Sequence, residues 1–381
     1  MTRIAFYIDA LKLGGAERVT LQWASWCLEE GWSVTVITRR SVIEDVYPLP
    51  VGLVRQVEPS LHWLLECLGW WAFPLRIFQL RRILRQGGFH YLVGLTTLPA
   101  VKLLLASRGL PASCVVSERN YPPAKPPAFL WRLLRRLTYP WADLHLVQTD
   151  QTGLWLKQHC SARKQLKLPN AVHWPLPRHE PALDPAAMVP AGASLLLAAG
   201  TKVRQKGFDR LIPVFRQLAV ADSNLWLAIP GVDAADYHGQ NQQNWLRELL
   251  GGDQNLQERL ILPGAVGNLG DWYARATLFL LPSRYEGFPN VLLEAMAAGC
   301  TCVAADCNTG PSDLIQDNEN GVLLPPNADT HAWSLAVREL LDDGERRERL
   351  GLAAQRVRHC FAVENLRHQF LKGLKESSYG R

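Results

Sequence analysis

The sequence predicts an α/β protein of two doubly wound parallel-sheet domains. Three observations predict it. Short apolar runs of strand length alternate with helical stretches in both halves of the chain. A proline-rich run, P-L-P-R-H-E-P-A-L-D-P-A-A-M-V-P at 175–190, separates the halves. The 381 residues, 48% of them hydrophobic, suffice for two cores. Apolar strands between helices mark parallel sheets covered on both faces. A run this rich in proline enters neither a sheet nor a helix and reads as a linker. The expected division is therefore a first domain at 1–174, the linker at 175–190, a second domain at 191–363 and a terminal helix at 364–381.

Taken in order, Arg3 to Ile8 is a strand, Ala16 to Glu30 a helix and Ser33 to Thr38 a strand. Further strands are expected at Tyr91 to Leu95, Cys114 to Ser117 and Leu144 to Gln148. The second half restarts at Leu195 to Ala199, followed by a helix near Asp209 to Val220. Strands follow at Leu225 to Ile229, Leu260 to Leu262, Leu278 to Leu281 and Cys302 to Ala305. Leu366, Phe370 and Leu374 recur at helical spacing and suit a last helix packed back on the first domain. In such sheets ligands sit off the carboxyl ends of the strands.

Composition narrows the function. Residues 1–180 hold 22 Lys and Arg against 12 Asp and Glu, a net of +10; residues 181–381 hold 19 against 23, a net of −4. The basic half suits an anionic surface or ligand, and equally a solvated face. The first ten residues lack the apolar core of a signal peptide and read as a strand. No apolar stretch of about 18 residues occurs, so no membrane span is expected. The eight cysteines are scattered and are expected to be reduced thiols in a cytosolic protein. Cys300, Cys302 and Cys307 invite a metal reading. No histidine or second cysteine pair completes a tetrahedral set, and C-T-C-V-A-A-D-C looks like a buried strand with its loop.

The chemistry concentrates at S-R-Y-E-G-F-P-N-V-L-L-E-A-M-A-A-G-C, residues 283–300. A strand runs into a Gly-Phe-Pro-Asn loop and then an apolar helix. Pro289 suits the first helical turn. The amides of Asn290, Val291 and Leu292 are expected to be free at a positive helix end, a seat for phosphate or sugar oxygens. Eight helical residues would separate Glu286 from Glu294 by about 12 Å and roughly 800°, so the two carboxylates grip different parts of one long ligand. Gly14 and Gly15 lie between the first strand and helix. They suit close approach to a phosphate, or a plain glycine turn. The pattern is not G-x-G-x-x-G, so the dinucleotide fingerprint is absent. In A-A-G-T-K-V-R-Q-K-G-F-D-R-L-I, Lys202, Arg204 and Lys206 follow a strand, which suits a diphosphate leaving group or a solvated basic loop.

These residues together resemble the retaining, nucleotide-sugar-dependent glycosyltransferases of family 4, and the resemblance covers nearly the whole chain. Glu286 and Glu294 look like the family's E-x7-E signature, G-G-A-E-R-V like its glycine loop, and Q-K-G-F-D-R-L-I like its phosphate-lysine segment. Asn170 in L-P-N-A-V resembles P-N-G-V where the first domain ends, and Asn320-Gly321 a late N-G-x-L element. The resemblance implies a GT-B fold, with two Rossmann-like domains facing a cleft. It implies that Lys206 binds the donor diphosphate, Glu294 the ribose and Glu286 the transferred sugar, with Lys206 and Glu286 the catalytic pair. Backbone at Phe288, Pro289 and Asn290 would hold sugar and phosphate oxygens, Pro263 and Gly264 would frame the base, and Gly14 and Gly15 would close on the donor phosphates. Thr201 stands where the family commonly has Arg, so Lys202 or Arg204 swings in or the diphosphate rests on Lys206. Asp313 stands where Glu is more usual. No D-x-D occurs, so no metal and no cofactor is expected. The resemblance favours front-face attack, the leaving phosphate taking the acceptor proton, with no nucleophilic role for Glu286.

The acceptor side is read from residues 61–86 and 129–141, where Trp, Leu and Phe mix with Arg. Such helices suit an anionic bilayer surface, or a domain core with arginines reaching outward. The membrane reading fits a polyprenyl-linked or lipopolysaccharide-type acceptor at the inner face of the cytoplasmic membrane, as the resemblance implies. Glu118 and Arg119, ending a strand, are candidate acceptor contacts or an ordinary surface ion pair. The donor is expected to be a UDP-sugar, and no nucleic-acid partner is expected. A transferase for a soluble sugar and a catalytically silent nucleotide-sugar binder are the competing readings.

Overall fold

The computed structural model describes residues 1–12, 14–60, 69–234, 236–237 and 240–378. The chain divides into two compact units, one of 1–170 with 364–381, the other of 171–363.

The first unit is built on seven parallel strands: β1 (Arg3–Ile8), β2 (Ser33–Thr38), β3 (Val54–Val57), β4 (Tyr91–Leu95), β5 (Ser113–Glu118), β6 (Leu144–Val147) and β7 (Gln165–Lys167). Their order across the sheet is β3-β2-β1-β4-β5-β6-β7, with Phe6 opposite Val36 and Val93. Parallel strands in this order need crossover connections, most of which here carry a helix. The last helix, Val363–Ser378, belongs to this unit. Its Phe370 stacks on Trp23 at 4.8 Å. Its Arg367 pairs with Glu29 and Glu30, and Ser377 Oγ meets Ser113 Oγ at 2.7 Å.

The second unit holds β8 (Ser194–Leu197), β9 (Leu225–Ala228), a short antiparallel pair β10 (Asp236–Tyr237) and β11 (Gln240–Asn241), then β12 (Leu260–Ile261), β13 (Leu278–Leu281), β14 (Cys302–Ala305) and β15 (Val322–Leu324). The parallel sheet runs β12-β9-β8-β13-β14-β15. Side chains alternate between two buried layers. Leu196, Leu278 and Leu280 face one; Leu195, Leu197, Phe279 and Leu281 face the other. Both faces are dry, which is why these strands read as unbroken apolar runs.

The proline-rich run is not a free tether. Leu176, Leu183, Met188 and Val189 pack on the second unit's core. Asn268 clamps Leu183, its Oδ1 accepting the Leu183 amide at 2.9 Å and its Nδ2 donating to the Leu183 carbonyl at 2.9 Å. Proline does keep the run out of the sheet, but its apolar residues still find a buried face. The thiols of Cys300, Cys302 and Cys307 point at the backbone carbonyls of Tyr273, Cys300 and Thr309. Burial pushes Cys300 and Cys307 each up to about 12, which suits inert packing rather than ligation.

Candidate active site

In an open parallel sheet, the strands on either side of a reversal in order send their chains apart and leave a crevice at their carboxyl ends. In the second unit that point lies between β8 and β13. Two of the sequence-predicted residues meet there. Lys206 leaves β8 through a single turn, Val203–Lys206, and Glu286 leaves β13 through the Pro-Ser turn. Lys206 Nζ lies 2.8 Å from Glu286 Oε1. The same oxygen accepts from Ser283 Oγ at 2.6 Å, and Thr309 Oγ1 donates to the Glu286 carbonyl at 2.5 Å. Glu286 is only 4% exposed, so the carboxylate is held by charge and hydroxyl together.

Two glycines make this approach possible. Gly207 ends the Lys206 turn at φ +71, and a Cβ there would overlap the carbonyl oxygen of Pro282. Gly200, at φ +146, leaves the space in which the Lys206 stem lies; a Cβ would stand 3.1 Å from its Cε. A bidentate pair of Arg284 with Asp209, at 2.6 and 2.7 Å, braces the turn from outside. Arg284 Nη1 also donates to the Arg204 carbonyl at 2.7 Å. Thr201, Lys202 and Arg204 are exposed around it.

Neighbouring strand ends join the same edge. Gly200 N–H donates to the Pro230 carbonyl at 3.0 Å, and Gly231 N–H to the Gly264 carbonyl at 2.7 Å. This places Pro263 and Gly264, past β12, next to the loops that follow β9 and β8. Glu294 sits half-buried on the helix Asn290–Ala298. There Tyr273 OH donates to the Val291 carbonyl at 3.1 Å and lies 3.5 Å from Glu294 Oε2.

The helix start departs from expectation. Pro289 is the residue before the helix, which begins at Asn290. The Asn290 amide donates to the Phe288 carbonyl at 3.1 Å and the Leu292 amide to the Pro289 carbonyl at 3.0 Å. Two of the three amides expected to be free are therefore spent in closing the turn, because proline fixes a φ that folds this segment back on itself. The Phe288 side chain is core, 6.0 Å from Phe361. Only four residues of helix separate Asn290 from Glu294, so the eight-residue figure overstates the spacing of the carboxylates.

Glu118 and Arg119 are neither a surface ion pair nor open to solvent. Glu118 is 2% exposed. It accepts from Tyr139 OH at 2.8 Å and Thr97 Oγ1 at 3.0 Å, with Arg135 Nη1 at 3.9 Å. Burial raises its pKa, against the pull of Arg135. Its acceptors are spent internally, which removes it as an acceptor contact. Arg119 donates to Asn170 Oδ1 and lies 5.4 Å over Trp23; burial lowers it to about 9. Asn170 thus anchors an arginine within the first unit. Asn320 closes a turn, accepting from the Gln316 amide at 2.8 Å and donating to the Leu314 carbonyl at 3.1 Å. In the first unit Gly14 precedes the helix Gly15–Glu29, and its amide and carbonyl both bond Tyr47 OH.

The sequence reading missed Ser283, Thr309, Asp209 and Arg284. The Thr309 and Arg284–Asp209 contacts cross 23 to 80 residues of chain, and no local spacing announces them; Ser283 lies three residues before Glu286.

Family profiles match both halves. Residues 185–357 match "Glycosyl transferases group 1" and residues 14–171 a "Glycosyl transferase 4-like domain". The chain belongs to the GT-B glycosyltransferases of this group. It is 26% identical, over 99% of both chains, to a Campylobacter jejuni α-1,4-N-acetyl-D-galactosaminyltransferase named for an undecaprenol-diphosphate glycan. It is 34% identical to the Escherichia coli lipopolysaccharide 1,6-galactosyltransferase, over 25% of this chain and 31% of that one. The chain matches only 20% of the length of a Streptomyces coelicolor exopolysaccharide phosphotransferase, at 31% identity. Among solved structures, the fold of this glycosyltransferase is shared by a Thermosynechococcus elongatus sucrose-phosphate synthase, at TM-score 0.82, 20% identity and 99% of both chains. It is shared too by Anabaena HepE, solved with UDP and glucose, at TM-score 0.79 and 17% identity over 98% of this chain and 100% of that one.

Proposed function

We propose that the chain is a retaining, metal-independent transferase. It moves a hexose or N-acetylhexosamine from a UDP-sugar to a lipid-linked or lipopolysaccharide-type glycan, on the cytoplasmic face of an anionic membrane. The observation that carries the proposal is the Lys206–Glu286 contact at the switch point of the second sheet. Breaking a sugar C1–O bond leaves negative charge on the departing diphosphate and positive charge on the ring. A fixed ammonium at the crevice floor stabilises the first. When the diphosphate takes Lys206, Glu286 is released to accept sugar hydroxyls. Glu294, on the next turn of chain, is left for the ribose.

The full-length Campylobacter relative supports the lipid-linked acceptor. The first unit supports the membrane. On the helix Phe129–Thr138, the exposed residues Phe129, Leu133 and Leu137 fall on one face, with Arg132 and Arg136 beside them. Phe78 and Leu75 are exposed on the helix Phe73–Gly87. The rest of the aromatic stretch at 61–68 lies outside the described residues. Among the described residues no helix is long and apolar enough to cross a membrane, so contact would be from the surface.

The test is a panel of UDP- and GDP-sugars, read by slow nucleotide release, followed by NMR of the anomeric product with a lipid-linked acceptor. Hydrolysis of a UDP-sugar with retention at C1 is expected. No donor bound or cleaved would leave a silent nucleotide-sugar binder, and inversion would remove the retaining mechanism.

A further inference from the structure

The Lys206–Glu286 pair joins two segments that are themselves fastened together. The Arg284 amide donates to the Gln205 carbonyl at 2.9 Å, and Gln205 Nε2 returns a bond to the Tyr285 carbonyl at 3.4 Å. The Arg284 side chain adds its bonds to Asp209 and to the Arg204 carbonyl. Neither backbone is free to withdraw, so the pair opens through its side chains. Lys206 is the partner built to move. Its ammonium rides on a flexible four-carbon stem, which lies in the space that Gly200 leaves. The Lys206 side chain also keeps more of its surface exposed than that of Glu286.

Glu286 is built to stay. Thr309 Oγ1 holds its carbonyl. Ser283, wholly buried, donates to Oε1 at 2.6 Å. An ionised carboxylate only accepts, so the single hydroxyl proton of Ser283 is directed at it. Among the described residues no hydrogen bond reaches Oε2. Once Lys206 departs, Ser283 is therefore the one donor that the described residues leave on this carboxylate. A buried carboxylate stripped of its donors is strongly disfavoured.

We propose that Ser283 is a positioning residue of this site, keeping the Glu286 carboxylate in place while Lys206 passes from it to the diphosphate. The ammonium then has two stations. In the empty protein it rests on Oε1; with a diphosphate present it moves to the phosphate oxygens. Ser283 alone then offsets the carboxylate until a sugar hydroxyl reaches Oε2. This role rests on the reading of the crevice as a UDP-sugar site, and it sets which complexes need Ser283. UDP takes Lys206 and brings no sugar, so the carboxylate depends on Ser283. A UDP-sugar takes Lys206 and supplies a hydroxyl in its place, so the dependence is weaker.

The experiment is calorimetry on the full chain without acceptor. It compares UDP with UDP-glucose, UDP-galactose and their two N-acetylamino counterparts, in the wild type and in Ser283→Ala. The substitution should weaken UDP by about tenfold or more, the loss expected of a hydrogen bond to a charged group, and should weaken whichever UDP-sugar binds by about threefold or less. Ser283→Thr keeps the hydroxyl and should restore most of the UDP affinity. Ser283→Cys, of similar size but only a weak donor, carries the same expectation as Ser283→Ala should that variant unfold. A merely loosened fold weakens UDP and UDP-sugar alike, so equal losses would overturn the positioning role, and so would unchanged UDP affinity. In both of those cases the wild type still binds its donor and the transferase reading stands. A wild type that binds no UDP-sugar would sink the transferase reading, and this inference with it.

Discussion

Lys206 is already committed to a carboxylate, and this shapes what a substitution there does. A neutral side chain removes the charge that offsets the leaving diphosphate and also strands Glu286, which is almost wholly buried. Lys206→Met should lower turnover by about 10²–10³, the usual loss for one electrostatic contact to a developing charge; wild-type turnover in steady-state assays would remove Lys206 from the reaction. Glu294→Ala should weaken UDP by about 10–100-fold, since a hydrogen bond to a charged group is worth about 1.5–3 kcal/mol. It should leave 2′,3′-dideoxy-UDP nearly unaffected, which isolates the ribose. His145 gives a pH signature. Burial depresses it to about 4, so the unfolded chain binds more protons between about pH 4 and 6.5, and stability is lost as pH falls through that window. Comparing melting curves at pH 7 and pH 5, the wild type should lose more than His145→Asn, by about 2 kcal/mol at most. Equal losses would show that the imidazole does not titrate.

At the scale of elements, what could be read in the sequence follows from burial. β1, β2, β4, β5 and β13 are apolar because both faces are covered, and each stands out as a run. β3, V-R-Q-V, and β7, Q-L-K, are edge strands. Polar Arg55, Gln56 and Gln165 are half-buried within them, Arg55 paired with Asp45 and Gln165 bonded to the Gly153 and Ala162 carbonyls, so no apolar run reveals them. Likewise Lys206, Glu286 and Glu294 stand out by local spacing, whereas Thr309 and the Arg284–Asp209 brace depend on strand order. The turn Val203–Lys206 deserves its own test. Gly207→Ala places a Cβ against the Pro282 carbonyl at a positive φ, a strain of about 1–3 kcal/mol. The melting temperature should fall and turnover should fall with it, since Gly207 ends the turn that carries Lys206. A stable variant of normal activity would show that the turn tolerates another geometry.

Over the whole molecule, charge is divided: the basic excess lies in residues 1–180 and the acidic excess in 181–381. Flotation with phosphatidylglycerol vesicles should therefore be strong at low ionic strength and fall as salt shortens the screening length toward about 8 Å. Leu133→Glu should abolish it without changing donor hydrolysis. Retention of that variant on vesicles would place the contact elsewhere. The helix Val363–Ser378 carries a different lesson. It is synthesised after the whole second unit, yet it supplies the ring that covers Trp23. A ribosome that has released residues 1–170 has not yet delivered every piece of the first folding unit. That unit must wait, partly uncovered, until this helix emerges, so a chain cut short before Val363 would damage the part of the fold made first rather than the part made later.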